Sequence, residues 1–215
     1  MKMLDEYLKA DSLCDKDSKL IKDKAQEITK DVKDEKEAAI AIFYFVRDNI
    51  KFTLTPFGKK ASQILIEKKG FCVSCANLQV ALLRAVNIPA RFHIAQAKKQ
   101  VFRDIFPNLI YLMLPPGLSP HAWCEVYLNN KWLSAESVYD KPLYEGMLKR
   151  GIITKKQIPT IDWDGENDLL VQSQSFWIRK DFGRSNKLKR NLLLESVSNL
   201  VPFFLINYKL EMIRS

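Results

Sequence analysis

The stretch Gly70-Phe71-Cys72-Val73-Ser74-Cys75-Ala76-Asn77-Leu78-Gln79-Val80-Ala81-Leu82-Leu83-Arg84-Ala85-Val86-Asn87-Ile88-Pro89-Ala90-Arg91 decides the fold. From Cys72 to Asn87 it holds no Gly or Pro and few β-branched residues. Ala76, Val80, Leu83 and Asn87 share one stripe at helical spacing, and Cys75, Leu78, Leu82 and Ala85 fill the neighbouring stripe. Only Arg84 is charged, so the pattern predicts a central helix that is buried nearly all round. Pro89 disfavours helix at Ile88. Asn87 tolerates the left-handed conformation in which many helices end. Arg91 to Ala97 then reads as a strand.

Cys72 opens this helix just after Gly70. Unpaired N–H groups and the positive end of the helix dipole favour thiolate over thiol there. The same N–H groups can hold an oxyanion formed when a thiolate attacks a carbonyl. Lys68 and Lys69 add positive charge nearby. Cys75 lies one turn deeper, Cys124 falls in a strand, and Cys14 falls in a charged N-terminal region. Of the four Cys, Cys72 is the one placed to act as a nucleophile.

A Cys nucleophile needs a base and an orienting group. The chain has only two His. His93, between Phe92 and Ile94, reads as a plain sheet histidine. His121 opens a strand just after Pro120. His121 to Leu128 and Lys131 to Ser137 form a predicted hairpin turning at Asn129-Asn130, residues that tolerate left-handed backbone. Alternation puts His121 on the face of Trp123 and Glu125, opposite Ala122 and Cys124. The turn position pairs His121 with Val138 and Trp123 with Glu136. Glu136 is then a diagonal neighbour of His121, within reach of a long side chain. Cys72, His121 and Glu136 are the candidate catalytic residues, and Asp140 is the fallback acid.

These elements together resemble the transglutaminase-like superfamily. Gly70-Phe71-Cys72 matches its Gly-x-Cys, and Ile88-Pro89-Ala90-Arg91 its helix-ending element. His121-Ala122-Trp123 matches His-Ala-Trp, and Trp132 is followed four residues on by Glu136. The four stand in order over about residues 36–140. The resemblance implies an α+β, papain-like core, with the Cys on a buried helix packed against an antiparallel sheet carrying the His and acid. It implies Cys72 as nucleophile, His121 as base and Glu136 as orienting acid. The family usually has Asp at the last position and Gly where Asn87 stands. The chemistry implied is acyl transfer at amide bonds through a thioester, by peptidase- or amidase-type hydrolysis or by transfer to an amine. The substrate implied is a protein or peptide. No cofactor or metal is expected.

Around the core, the 215 residues suggest one domain with appendages. The expected division is an N-terminal helical extension at 1–35, the core at 36–140 and a C-terminal extension packed on it at 141–215. Residues 1–33 suggest a surface helix or two. Asp34 to Asn49 is a predicted buried helix, with Asp34 as N-cap and Glu37 three residues later. Ile50 to Thr55 reads as extended, and Ala61 to Lys68 as a short helix ended by Gly70. Residues 98–120 read as an irregular Pro-rich insert, either a lid or a packed loop. A last helix is expected around Leu192 to Ile213, interrupted by Pro202.

Composition sets the outer limits. The charge is +9, of which residues 1–140 carry +4 and residues 141–215 carry +5. The densest basic cluster is Arg179, Lys180, Arg184, Lys187, Lys189 and Arg190, which suggests an acidic partner for a C-terminal surface. The N-terminus lacks an apolar h-region, no run can span a membrane, and four Cys do not make a disulfide framework. A cytoplasmic protein with reduced thiols is the expectation. Three rival readings compete with the triad. One is a zinc site from Cys72, Cys75, His121 and Cys124, disfavoured because residues three apart on a strand face opposite ways. Another is a redox pair, Cys72 and Cys75, disfavoured because it follows a helix and not a strand. The last is an inactive transglutaminase-like module whose basic surface binds nucleic acid or a protein.

Overall fold

A computed structural model describes residues 4–104, 106–113, 117–171, 177–187 and 203–215. Helices α1 (Lys19–Thr29), α2 (Glu35–Asn49), α3 (Ala61–Glu67) and α4 (Cys72–Ala85) form one layer. Strands β3 (Ala90–Lys98), β4 (Gly117–Leu128), β5 (Lys131–Ala135) and β6 (Trp177–Ser185) form an antiparallel sheet in the order β5-β4-β3-β6. Helix α4 lies against β4. Two two-residue strands, β1 (Lys51–Phe52) and β2 (Lys69–Gly70), pair in parallel. Short helices α5 (Asn108–Met113) and α6 (Lys141–Lys149), the terminal α7 (Phe203–Arg214) and 3-10 turns at Asp5–Leu8 and Lys99–Phe102 complete the described elements.

The α4 expectation is met residue by residue. Every position from Ser74 to Arg84 is buried. Arg84, the one charge, spends its donors on backbone. It donates to Ala90 O at 3.0 and 2.8 Å, to Lys9 O at 2.6 Å and to Asn186 O at 2.8 Å. A buried guanidinium without partners would be strongly unfavourable, and these carbonyls satisfy it. They also bind the end of α4 to the start of β3. Asn87 is left-handed at φ 61, as its place before Ile88-Pro89 suggests. Asp34 caps α2 by accepting the Glu37 N–H at 2.8 Å. Ala38, Ala39, Ile42, Phe43 and Val46 bury that helix in the core.

The hairpin follows the expected register, with Cys124 facing Ala135 and Leu128 facing Lys131. Asn129 and Asn130 take φ of 50 and 61, the left-handed pair that a two-residue turn needs. Several boundaries differ. Helix α3 stops at a left-handed Lys68 (φ 51), before Gly70. Gly70 has another role: a Cβ there would sit 2.4 Å from Ser74 Cβ, so only Gly lets β2 run into α4. β4 begins at Gly117, before Pro120, because β3 extends far enough to pair with it. The insert 98–120 contains a 3-10 turn at Lys99–Phe102 and α5. β5 ends at Ala135 and not at Ser137. Strand β6, which has no clear alternation in its sequence, takes up part of the basic cluster. The extended piece after α2 shrinks to β1. Of the last helix, residues 192–202 lie outside the described residues, and the remainder forms α7.

Candidate active site

Three elements converge on Cys72. The β1–β2 pair binds the chain on either side of α3 together, with Thr53 N–H donating to Gly70 O at 2.7 Å. This leaves Cys72 as the first residue of α4, half-buried, while Phe71 caps the helix with no side-chain hydrogen bond. The first intrahelical bond is Cys75 N–H to Phe71 O at 2.9 Å. The amides of Cys72, Val73 and Ser74 therefore precede the helix ladder, as the first N–H groups of any helix do.

Opposite the helix end, β4 presents His121, which is 4 % exposed. Its Nε2–H donates to Glu136 Oε1 at 2.6 Å. Cys72 lies close enough to the same imidazole to act on it. Burial alone would disfavour the imidazolium. The charges and hydrogen bonds of Glu136 and Cys72 outweigh it and raise His121 to about 10. Glu136 is buried, and its second oxygen accepts the Val171 N–H at 2.8 Å. The structure thus brings Cys72, His121 and Glu136 together around one ring. Cys72, Trp123 and Glu136 also line one narrow cleft, too tight for a water molecule, between α4 and the sheet.

The fallback acid is committed elsewhere. Asp140 caps α6 by accepting the Leu143 N–H at 3.0 Å, accepts the Phe52 N–H at 2.8 Å and pairs with Arg214 at 2.7 Å. The other thiols are buried. Desolvation pushes Cys14 up to about 12 and raises Cys75 and Cys124 further. Cys124 belongs to the core-facing side of β4 with Phe92 and Val126, whereas His121 projects from the other side. Among the described residues, no three His, Cys, Asp or Glu side chains group as metal ligands would.

One feature lay beyond the sequence reading. His93 pairs with Trp123 across β3 and β4, and the two rings stack with centroids 4.0 Å apart and 16° between planes. Trp123 in turn lies 5.7 Å from the His121 ring. His93 Nδ1 is 2.7 Å from Glu125 Oε1, and Arg91 donates to Glu125 Oε2 at 2.6 Å. Burial would raise the Glu125 carboxyl, but its hydrogen bonds to His93 and Arg91 hold it down at about 2. Aligning β3 with β4 at His93–Trp123 would have exposed this group. A second omission is the Val171 amide, which no residue type announces.

A thiol at the start of a buried helix, faced by an imidazole and a carboxylate from an antiparallel sheet, is the arrangement of the papain-like α+β folds. The chain belongs to the transglutaminase-like superfamily, whose family model matches residues 22–137. Members of that superfamily are cysteine proteases or acyltransferases. Among solved structures, a putative cysteine protease from Cytophaga hutchinsonii superposes with a TM-score of 0.52 at 23 % identity. The match covers 67 % of this chain and 45 % of that one, so the chain spans less than half of that protein's length. A red sea bream transglutaminase is 16 % identical with a TM-score of 0.38, covering 64 % of this chain and 26 % of that one. No curated protein sequence matches the chain. Among the described residues, no helix is long and apolar enough to cross a membrane.

Proposed function

We propose that this protein catalyses acyl transfer at amide bonds of a protein or peptide, with Cys72 as nucleophile, His121 as proton carrier and Glu136 as orienting acid. The observation that carries this reading is the single buried imidazole shared between Cys72 and Glu136. Cys72, as thiolate, attacks the amide carbon, and the carbonyl π pair moves onto oxygen. The α4 first-turn amides, which precede the helix ladder, can donate to that oxyanion. Collapse of the adduct expels the amine, which takes the proton from the His121 imidazolium. A thioester on Cys72 remains. Water or an amine then adds, giving up its proton to His121, and the thiolate leaves. Glu136 keeps the ring in one orientation and stabilises its charged form throughout.

Hydrolysis is the favoured branch. Water needs no binding site of its own, whereas an amine acceptor does. The deciding experiment incubates wild type and Cys72→Ala with a peptide library, with and without a primary amine, and reads products by mass. The reading requires cleaved or deamidated peptides from wild type only. Amine-bearing products would move the assignment to transfer. Equal turnover by Cys72→Ala would end it.

A further inference from the structure

The family match stops at residue 137, yet the chain returns to the site at Asp168. The return is anchored first. Trp163 is buried near Phe43, and its indole N–H donates to Asn167 O at 2.8 Å. Gly165, at φ 72, passes so close to α2 that a Cβ would lie 2.9 Å from Ile40. From that anchor the chain runs beside β5. Asp168 Oδ1 accepts the Ser134 N–H at 2.7 Å. Leu169 N–H donates to Ser134 O at 2.8 Å, and Glu136 N–H donates to Leu169 O at 3.2 Å. Leu170 packs against Trp123 and Ala95. Val171 N–H ends the run on Glu136 Oε2.

We propose that Asp168 to Val171 is a strap that positions Glu136 toward His121, with Asp168 as its latch. The inference rests on the reading that Glu136 serves His121. A glutamate has one more torsion to fix than the aspartate usual at this position. An ionised carboxylate also has two oxygens to satisfy when buried. The Val171 amide occupies one and leaves the other aimed at the imidazole. Leu170 packs on Trp123, whose ring lies 5.7 Å from the imidazole. Asp168 is exposed and is hydrogen-bonded to β5 and not to Cys72, His121 or Glu136, so it acts as a positioning residue.

The chain's two imidazoles make the test direct. Their titration is followed by NMR in wild type, Asp168→Ala, Asp168→Asn and Leu170→Ala, with thermal unfolding recorded alongside. Asp168→Asn keeps an acceptor for Ser134 and titrates like wild type. Asp168→Ala lowers the His121 midpoint by about one unit, because a loosened carboxylate stabilises the imidazolium less. Leu170→Ala shifts it the same way by less. Iodoacetamide labelling of Cys72 in wild type, measured separately, reports on the catalytic reading itself. An unreactive Cys72 with a shifted His121 would sink that reading and keep the strap. An unmoved His121 in both Asp168→Ala and Leu170→Ala, whether or not melting changes, would overturn the strap.

Discussion

Two buried histidine–carboxylate pairs lie against one tryptophan, and one of them, His121–Glu136, lies beside the Cys72 thiol. His121–Glu136 and His93–Glu125 have nearly the same contact, 2.6 and 2.7 Å. Both imidazoles lie against Trp123. The carboxylates differ in their other partners. Glu136 is met by a neutral backbone amide, so its charge acts on His121. Glu125 is met by Arg91 and, at 3.4 Å, by Arg184, so its charge is already neutralised. A histidine–carboxylate pair is therefore not by itself a functional signature. What surrounds the carboxylate, and what the other side of the imidazole faces, separates the pair we propose as catalytic from the pair between β3 and β4.

Glutamine substitution separates the pairs most sharply. Glu136→Gln removes the charge that orients His121, and we expect turnover to fall about 100-fold while the fold survives. Glu125→Gln leaves the arginines and His93 around a neutral amide. It should cost about 3 kcal/mol in urea unfolding and change turnover by less than about threefold. Equal losses of activity in the two variants would erase the contrast.

The pairs should also differ in the pH dependence of stability. His121 binds its proton more tightly when folded, at about 10 against an ordinary 6.5. Its contribution is complete below about 6.5 and is lost as pH rises toward 10. Glu125 is shifted the other way, to about 2 from 4.5. Its contribution is present above 4.5 and is lost as pH falls toward 2. Unfolding curves across pH should show the alkaline loss shrink in Glu136→Gln and the acid loss shrink in Glu125→Gln. Identical pH profiles for both variants would mean that the pairs are electrostatically equivalent.

The smallest expected effect concerns the Asn-Asn turn between the strands that hold His121 and Glu136. Asn130→Gly relieves a left-handed non-glycine position at φ 61. Thermal melting should rise slightly, by an amount equivalent to a few tenths of a kcal/mol, with turnover unchanged. A fall in turnover would show that the turn sets the His121–Glu136 register more tightly than its hydrogen bonds imply.

The sequence carried the half of the site that depends on side-chain type and strand period. Cys72 was marked by Gly70 before it and an apolar helix after it. Glu136 was reachable because two asparagines set the hairpin register, and register fixes which residues are diagonal neighbours. The partners of His93 were not legible, because they depend on β3 lying beside β4, a pairing that is long-range and unmarked by any turn. The strap at 168–171 was invisible for a different reason. Its decisive contact is a backbone amide, which every residue but proline has. The start of β4 at Gly117 shows the same limit, since pairing with β3 carries a strand through Pro120 against local preference.

Site-resolved alkylation decides whether Cys72 is the reactive thiol of the four. Wild-type protein is treated with limiting iodoacetamide at pH 7 and digested, and the modified fraction of each Cys is read by mass spectrometry. Cys72 faces His121 at a half-open helix end, whereas Cys14, Cys75 and Cys124 are buried with raised pKa values. We expect Cys72 to be modified first, at least about tenfold ahead of the others, and His121→Ala to remove the lead. Modification of Cys14, Cys75 or Cys124 before Cys72 would contradict that expectation.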